Sequence, residues 1–204
     1  MEKSKRLFYL AFDISTTNVG MSIFSDKGKL MALRHLKLKT GKNIPEYQRY
    51  IVKSLLFKDF IKEWKKYIEN DLNGEVGGLF VEEPLIMSNN SFTSALLQKF
   101  NGISCYILYD IFNIAPELIT VHDSRKGFCP EFVSIKYKKG QKIETLSFPK
   151  DIDKKVYIWE KVNKIENKIE WLYDKKGNLA KESYDLSDSY CVGYSMLKIK
   201  GIIK

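Results

Sequence analysis

Leu7-Phe8-Tyr9-Leu10-Ala11-Phe12-Asp13 runs from unbroken apolar and aromatic side chains into a single carboxylate, and Ile14-Ser15-Thr16-Thr17-Asn18-Val19-Gly20 follows it. Six residues of this kind, closed by an acid and a Ser-Thr-Thr-Asn segment, read as a buried strand that stops at a turn. Residues 19–25 alternate small and large side chains, Asp26-Lys27-Gly28-Lys29 supplies turn chemistry, and residues 30–38 are apolar-rich again. Three strands joined by short turns predict an antiparallel meander.

Downstream of the meander, Tyr47, Ile51, Leu55, Phe60, Trp64 and Ile68 recur at helical spacing, which predicts a long amphipathic helix over 45–70. After a loop at 71–78, the short apolar run Leu79-Phe80-Val81 leads straight into Glu82-Glu83-Pro84, so a second buried strand is expected to end in carboxylates. Residues 92–112 read as a helix in which Gly102 marks close packing, and 118–121 as another short strand. Between 125 and 142 six basic residues (Arg125, Lys126, Lys136, Lys138, Lys139, Lys142) face one acid, Glu131, and are interleaved with Phe128, Phe132 and Tyr137. This most basic region is expected to form a loop or small hairpin. Residues 153–173 predict a helix, 174–182 a turn around Lys176-Gly177-Asn178, and 183–198 a last helix. Alternation of this kind predicts an α/β fold, a mixed sheet with helices on both faces, in one domain over 1–204.

The 204 residues carry 34 Lys+Arg against 25 Asp+Glu, a formal net charge of +9, and 44% hydrophobic residues with 13% aromatics. That composition builds a core and argues against disorder. Without an apolar run of about 18 residues, a membrane span is not expected. Because Asp13 breaks the first apolar stretch, a signal peptide is not expected either, and the location expected is the cytoplasm, the host cell's if the chain is viral. Three scattered cysteines and two histidines, His35 and His122, offer no zinc-ligand spacing. The positive excess points to a polyanion such as nucleic acid, or to solubility alone.

Asp13 and Glu82 share one pattern, a buried strand delivering a carboxylate at its carboxyl end, where open α/β sheets bind ligands. Asp13 could instead cap the turn that follows it, and Glu82 could be a polar strand exit. Strand alternation sends Glu83 to the opposite face from Glu82. Asp185 and Asp188, at the start of the last helix, share one helical face, although Asp185 could be an N-cap and Asp188 a dipole partner. Four acids from two strand ends and one helix start match the oxygen-rich ligand set of two Mg²⁺ ions, with Mn²⁺ able to substitute.

On these residues the sequence resembles the RuvC-type Holliday junction resolvases of the ribonuclease H-like nuclease superfamily. The likeness is carried by Phe12-Asp13-Ile14-Ser15-Thr16-Thr17-Asn18-Val19-Gly20, by Phe80-Val81-Glu82-Glu83, by Ser94-Ala95-Leu96-Leu97-Gln98-Lys99-Phe100-Asn101-Gly102 and by Asp185-Leu186-Ser187-Asp188-Ser189-Tyr190. It implies a ribonuclease H-like fold in which Asp13, Glu82, Asp185 and Asp188 hold two Mg²⁺ ions. It also implies a homodimer that cuts symmetric strands of a four-way DNA junction and leaves 5′-phosphates. Leu85, Ile86 and Phe92 are the side chains available to intrude at the crossover, while Phe92 could equally be core. Residues 129–150 stand out as a basic insertion relative to compact bacterial members, as in viral and phage branches.

The motif 13–20 is also similar to the phosphate-binding turn of actin-like ATPases and sugar kinases, but one half-fold and no second glycine-rich motif fit 204 residues. A ribonuclease H acting on RNA–DNA hybrids and a non-catalytic DNA-binding module are the other readings. In every DNA reading, Arg125, Lys126, Lys136, Lys138, Lys139, Lys142 and Phe92 are the expected contacts.

Overall fold

A computed structural model describes residues 5–41, 43–84, 91–138 and 141–204. Lys139, Leu85 and Ile86 lie outside the described residues. The meander forms as expected, with β1 at Arg6–Ile14, β2 at Asn18–Ser25 and β3 at Leu30–Lys37, paired antiparallel. β4 (Gly74–Glu83) lies parallel to β1, and β5 (Glu117–Thr120) parallel to β4, giving a five-stranded sheet of order β3-β2-β1-β4-β5.

β4 begins five residues before the apolar run, within the span expected to be loop. Its glycines make that possible by admitting neighbouring aromatic rings: a Cβ on Gly74 would fall 2.2 Å from the Phe8 ring, and one on Gly78 would fall 3.0 Å from Tyr9. A glycine-rich stretch that reads as loop is here a strand closely covered by side chains.

Alternation sorts the sheet into two faces. Phe8, Leu10, Phe12, Ile14, Val19, Met21, Leu79 and Val81 pack under α1 (Glu46–Lys66) and α2 (Ser91–Phe112). Ala11, Phe24 and Phe80 pack under α5 (Lys181–Ile199), together with α3 (Val121–Phe128) and α4 (Lys154–Ile165). The helix α1 runs on through a π turn, Tyr67–Asp71.

The stripe expected to seat α1 is only partly correct. Phe57, Ile61 and Ile68 are buried, whereas Tyr47, Ile51 and Leu55 are 72%, 60% and 56% exposed. Two stripes at helical spacing compete on this helix, and the one offset by two residues faces the sheet. Gly102 does not mark close packing inside the chain, since a Cβ there would meet nothing within 4 Å.

Residues 129–150 form a short 3-10 turn and a separate two-stranded ribbon, β6 (Val133–Lys138) with β7 (Gln141–Leu146). A lone hairpin is marginal in water, and this one is anchored at its base by Phe132, Phe148 and Tyr157, whose ring centroids lie 4.6–6.0 Å apart.

The helix expected over 153–173 ends at Ile165. Beyond it the chain turns so that Trp171 is buried edge-on against Trp159 and its indole N–H donates to Asn163 Oδ1 at 2.8 Å. The last helix begins at Lys181, earlier than the spacing predicts, with Ala180 as its N-cap. Among the described residues no helix is long and apolar enough to cross a membrane.

Candidate active site

The register puts one row of side chains across four strands. Asp13 on β1 is opposite Gly20 on β2, and Gly20 is opposite His35 on β3. On the other side of β1, Phe12 aligns with Val81, so the next residues along the parallel pair, Asp13 and Glu82, are neighbours. Alternation carries this row to the face covered by α5, the face of Ala11, Ser22 and Phe80.

The helix settles onto the row at Gly20. A Cβ on Gly20 would lie 2.0 Å from the Asp185 carbonyl oxygen, so only glycine lets the helix backbone come this close. One turn further, the Ser22 hydroxyl donates to the Ser189 carbonyl at 2.9 Å. Asp185 therefore sits over the middle of the row, and Asp188 follows three residues later on the same helical face.

The alternative roles for these acids are answered by geometry. The turn after β1 is held by Ser15, whose Oγ accepts from Asn18 N at 2.9 Å, and not by Asp13. Asp185 is in the second turn of a helix already begun at Lys181, which excludes an N-cap role. Asp188 is buried.

Electrostatics joins the four carboxylates into one group. Burial raises the Asp13 carboxyl well above the ordinary range, and the charges of Glu82, Asp188 and Asp185 raise it further. Burial first, then Asp188, pushes Glu82 up to about 7, against the pull of Arg125 and Lys155. Asp188 is raised by burial as well, opposed by the same two cations. Arg125 Nη2 lies 3.8 Å from Asp188 Oδ1, and Lys155 Nζ lies 3.8 Å from Asp188 Oδ2. On the far side of the row, His35 Nε2 stands 3.5 Å from Asp185 Oδ2. Beside the strand ends opens a pocket of about 220 Å³ lined by Asp13, Ser15, Glu82, Pro84, Thr93 and Val121.

The donors are hard carboxylate oxygens, of the kind that suits Mg²⁺ or Mn²⁺. Asp185 Oδ2 is buried without a hydrogen-bond partner, so this carboxylate is left under-compensated, as suits the neighbourhood of a cation. Among the described residues, no three of the His, Cys, Asp or Glu side chains are gathered at metal-ligand spacing.

The basic residues divide. Arg125 and Lys126 are on α3, not in a loop, and Lys126 is held by Asp123 at 2.8 Å. Lys136, Lys138 and Lys142 are on the ribbon, where Lys142 pairs with Glu144 at 2.7 Å. Tyr137 is 75% exposed, while Phe132 is taken up by the aromatic base of the ribbon. Phe92, in the first turn of α2, is 63% exposed, so it is not a core residue. Sequence reading passed over Lys155, His35 and Gly20. A lysine in the first turn of a helix opposes the macrodipole, and that was the available signal for Lys155.

No protein-family model matches the sequence, and no curated protein does. Among solved structures, the chain is similar to RuvC of Thermus thermophilus in complex with Holliday junction substrate, at 10% identity over 92% of this chain and 91% of that one, with a TM-score of 0.57. A second Thermus thermophilus RuvC structure matches at 13% identity over 97% and 98%, with a TM-score of 0.52. The five-stranded mixed sheet flanked by helices is thus the ribonuclease H-like fold of these neighbours.

Proposed function

We propose that this chain is a metal-dependent endodeoxyribonuclease that resolves four-way DNA junctions or closely related branched DNA. The observation that carries the reading is the convergence of Asp13, Glu82, Asp185 and Asp188 at the carboxyl end of the sheet. A RuvC-like fold over nearly the whole chain, one neighbour of which holds Holliday junction substrate, supports it.

The four carboxylates would hold two divalent cations, Mg²⁺ or Mn²⁺. The chemistry such a pair supplies is activation of the attacking water and stabilisation of the leaving oxygen of the phosphodiester. The chain's own residues do the rest. Arg125 and Lys155 offset part of the charge of Asp188 and, once relieved of it, would face the phosphate. The ribbon brings Lys136, Lys138 and Lys142 to the backbone of the substrate, and the sequence adds Lys139 between its strands. Exposed Tyr137 offers a stacking surface there.

The same reading includes a homodimer, since paired cuts need two sites. The apolar face between α1 and α2, with Ile51, Leu55, Ile103 and Tyr106 exposed, supports that face as the contact.

The test is cleavage of a synthetic four-way junction in Mg²⁺ by wild type and by Asp13→Asn. Loss of cleavage with retained junction binding is expected, and cleavage that persists in the variant sinks the assignment. An RNA–DNA hybrid duplex in the same assay, cut in preference to the junction, would move the substrate to hybrids.

A further inference from the structure

We infer that His35 is a positioning residue for Asp185: its Nε2–H is directed at Asp185 Oδ2 and so presents the other carboxylate oxygen to the metal pair. The inference rests on the nuclease reading of the same site.

Three observations converge on it. First, His35 Nε2 and Asp185 Oδ2 are both buried, both lack a hydrogen-bond partner, and face each other at 3.5 Å. The His35 side chain is only 9% exposed and that of Asp185 18%. A buried imidazole N–H and a buried carboxylate oxygen left unmade cost free energy unless a small adjustment joins them.

Second, the contact is one of a matched pair. Two residues further along β3, Lys37 Nζ reaches Glu182 Oε1 at 2.7 Å. Residues i and i+2 of a strand share a face, as do i and i+3 of a helix. Positions 35 and 37 on β3 therefore meet 185 and 182 on α5 as two rungs of one ladder. The outer rung is solvent-exposed and holds the helix start; the inner one is the buried rung at the site.

Third, Gly20 lies between them. Opposite His35 in register and beneath the Asp185 carbonyl, it sets the height of the helix over the sheet. With the backbone of Asp185 fixed from below, rotation of its side chain is the freedom left, and His35 is the neighbour that limits it. Asp13 lies on the other side of Gly20, so an Asp185 carboxylate held towards His35 through Oδ2 turns Oδ1 towards Asp13.

The test compares wild type, His35→Leu and His35→Gln in three measurements: Mn²⁺ titration without DNA, thermal melting in EDTA, and kcat with KM on the junction. Leucine fills the space without a donor, whereas glutamine keeps an N–H at similar reach. Outer partners of ligating side chains contribute 10–100-fold to metal affinity. Weakening of Mn²⁺ binding by that factor is expected for the leucine variant, with kcat falling and KM for DNA unchanged. The glutamine variant should stay within about threefold of wild type, since the donor is what that outer contribution depends on.

Equal Mn²⁺ affinity in wild type and His35→Leu would overturn the assignment. So would equal impairment of the leucine and glutamine variants, because space rather than the donor would then be the cause. Should the leucine variant fail to fold, His35→Asn carries the same test, its amide being too short to reach Asp185. A wild type that takes up no Mn²⁺ overturns the metal-dependent reading, and this inference with it; that outcome is distinct from failure of His35 alone.

Discussion

Replacing Glu82 by Gln should stabilise the metal-free protein, and the structure gives the size of the effect. Burial and the charge of Asp188 raise the Glu82 carboxyl from 4.5 to about 7. An acid whose folded value exceeds its unfolded one contributes stability that is fully present below the unfolded value and is lost as pH rises through the folded one. Metal-free wild type therefore loses stability from about pH 4.5 upward, and the loss is complete above pH 7. A shift of this size, at 1.36 kcal/mol per unit, amounts to about 3 kcal/mol. Glutamine keeps the shape without the charge, and it also relieves Asp13, for which Glu82 is the largest opposing charge. For a domain of this length 1 kcal/mol moves the melting midpoint by roughly 2–4 °C, so Glu82→Gln should melt about 6–12 °C higher at pH 8 in EDTA. The two proteins should converge near pH 4.5. Saturating Mg²⁺ should narrow or reverse the gap at pH 8, because a bound ligand at 100 times its Kd adds about 2.7 kcal/mol to the protein that binds it. A glutamine variant that melts at or below wild type at pH 8 in EDTA would refute the reasoning, as would a gap that does not shrink at low pH.

Lys136→Ala combined with Lys142→Ala should weaken binding to all DNA sequences and lower the slope of log K against log salt by up to about 1.8, at 0.9 for each phosphate no longer neutralised; an unchanged slope removes the ribbon from the interface. Gly20→Ala places a Cβ where the Asp185 carbonyl oxygen now lies, 2.0 Å away, and should cost about 1–3 kcal/mol in urea unfolding together with most of the cleavage activity, as α5 lifts from the row; full activity in a folded variant would show that the helix height does not matter. Ile51→Asp with Tyr106→Glu, both on exposed positions of the α1–α2 face, should leave the melting midpoint within a few degrees and convert a dimer to a monomer in sedimentation velocity. An unchanged sedimentation coefficient would place the dimer contact elsewhere.

Strand grammar made Asp13 and Glu82 legible as candidates, because in each an apolar run ends on a carboxylate where open sheets bind ligands. Their neighbours along the sheet row, Gly20 and His35, were not legible, because they come from register. Gly20 and His35 join the row only through pairing of β2 with β1 and β3, which two separate local patterns do not specify. On α1 the apolar pattern contained two helical stripes, Tyr47-Ile51-Leu55 and Phe57-Ile61, and periodicity cannot choose between stripes that both repeat every four residues. The end of α4 at Ile165 has no proline or glycine to announce it. It is set by burial of Trp171, a tertiary gain that overrides helix propensity. Residues 174–178 were readable because their chemistry is local: Asp174 Oδ1 accepts from Lys176 N and Asn178 N, and Gly177 takes φ +81°.

The four carboxylates are not equivalent, and the inequality follows from where the cations are. Asp188 has Arg125 and Lys155 within 3.8 Å, so part of its charge is offset within the chain. Asp185 has His35 and the edge of the sheet beside it. Asp13 is opposed by the charges of the other three, with Lys155 acting in its favour. Glu82 stands between these cases, opposed by Asp188 and helped by both cations. A divalent cation would therefore lower the free energy of the site most next to Asp13, where three like charges act together. The net +9 of the chain is not gathered here: Arg125 and Lys155 stand against Asp188, while Lys136, Lys138 and Lys142 are on the ribbon. Under the proposed nuclease reading, a basic surface around this under-compensated acidic centre would attract a polyanion and leave cation binding to the acids themselves.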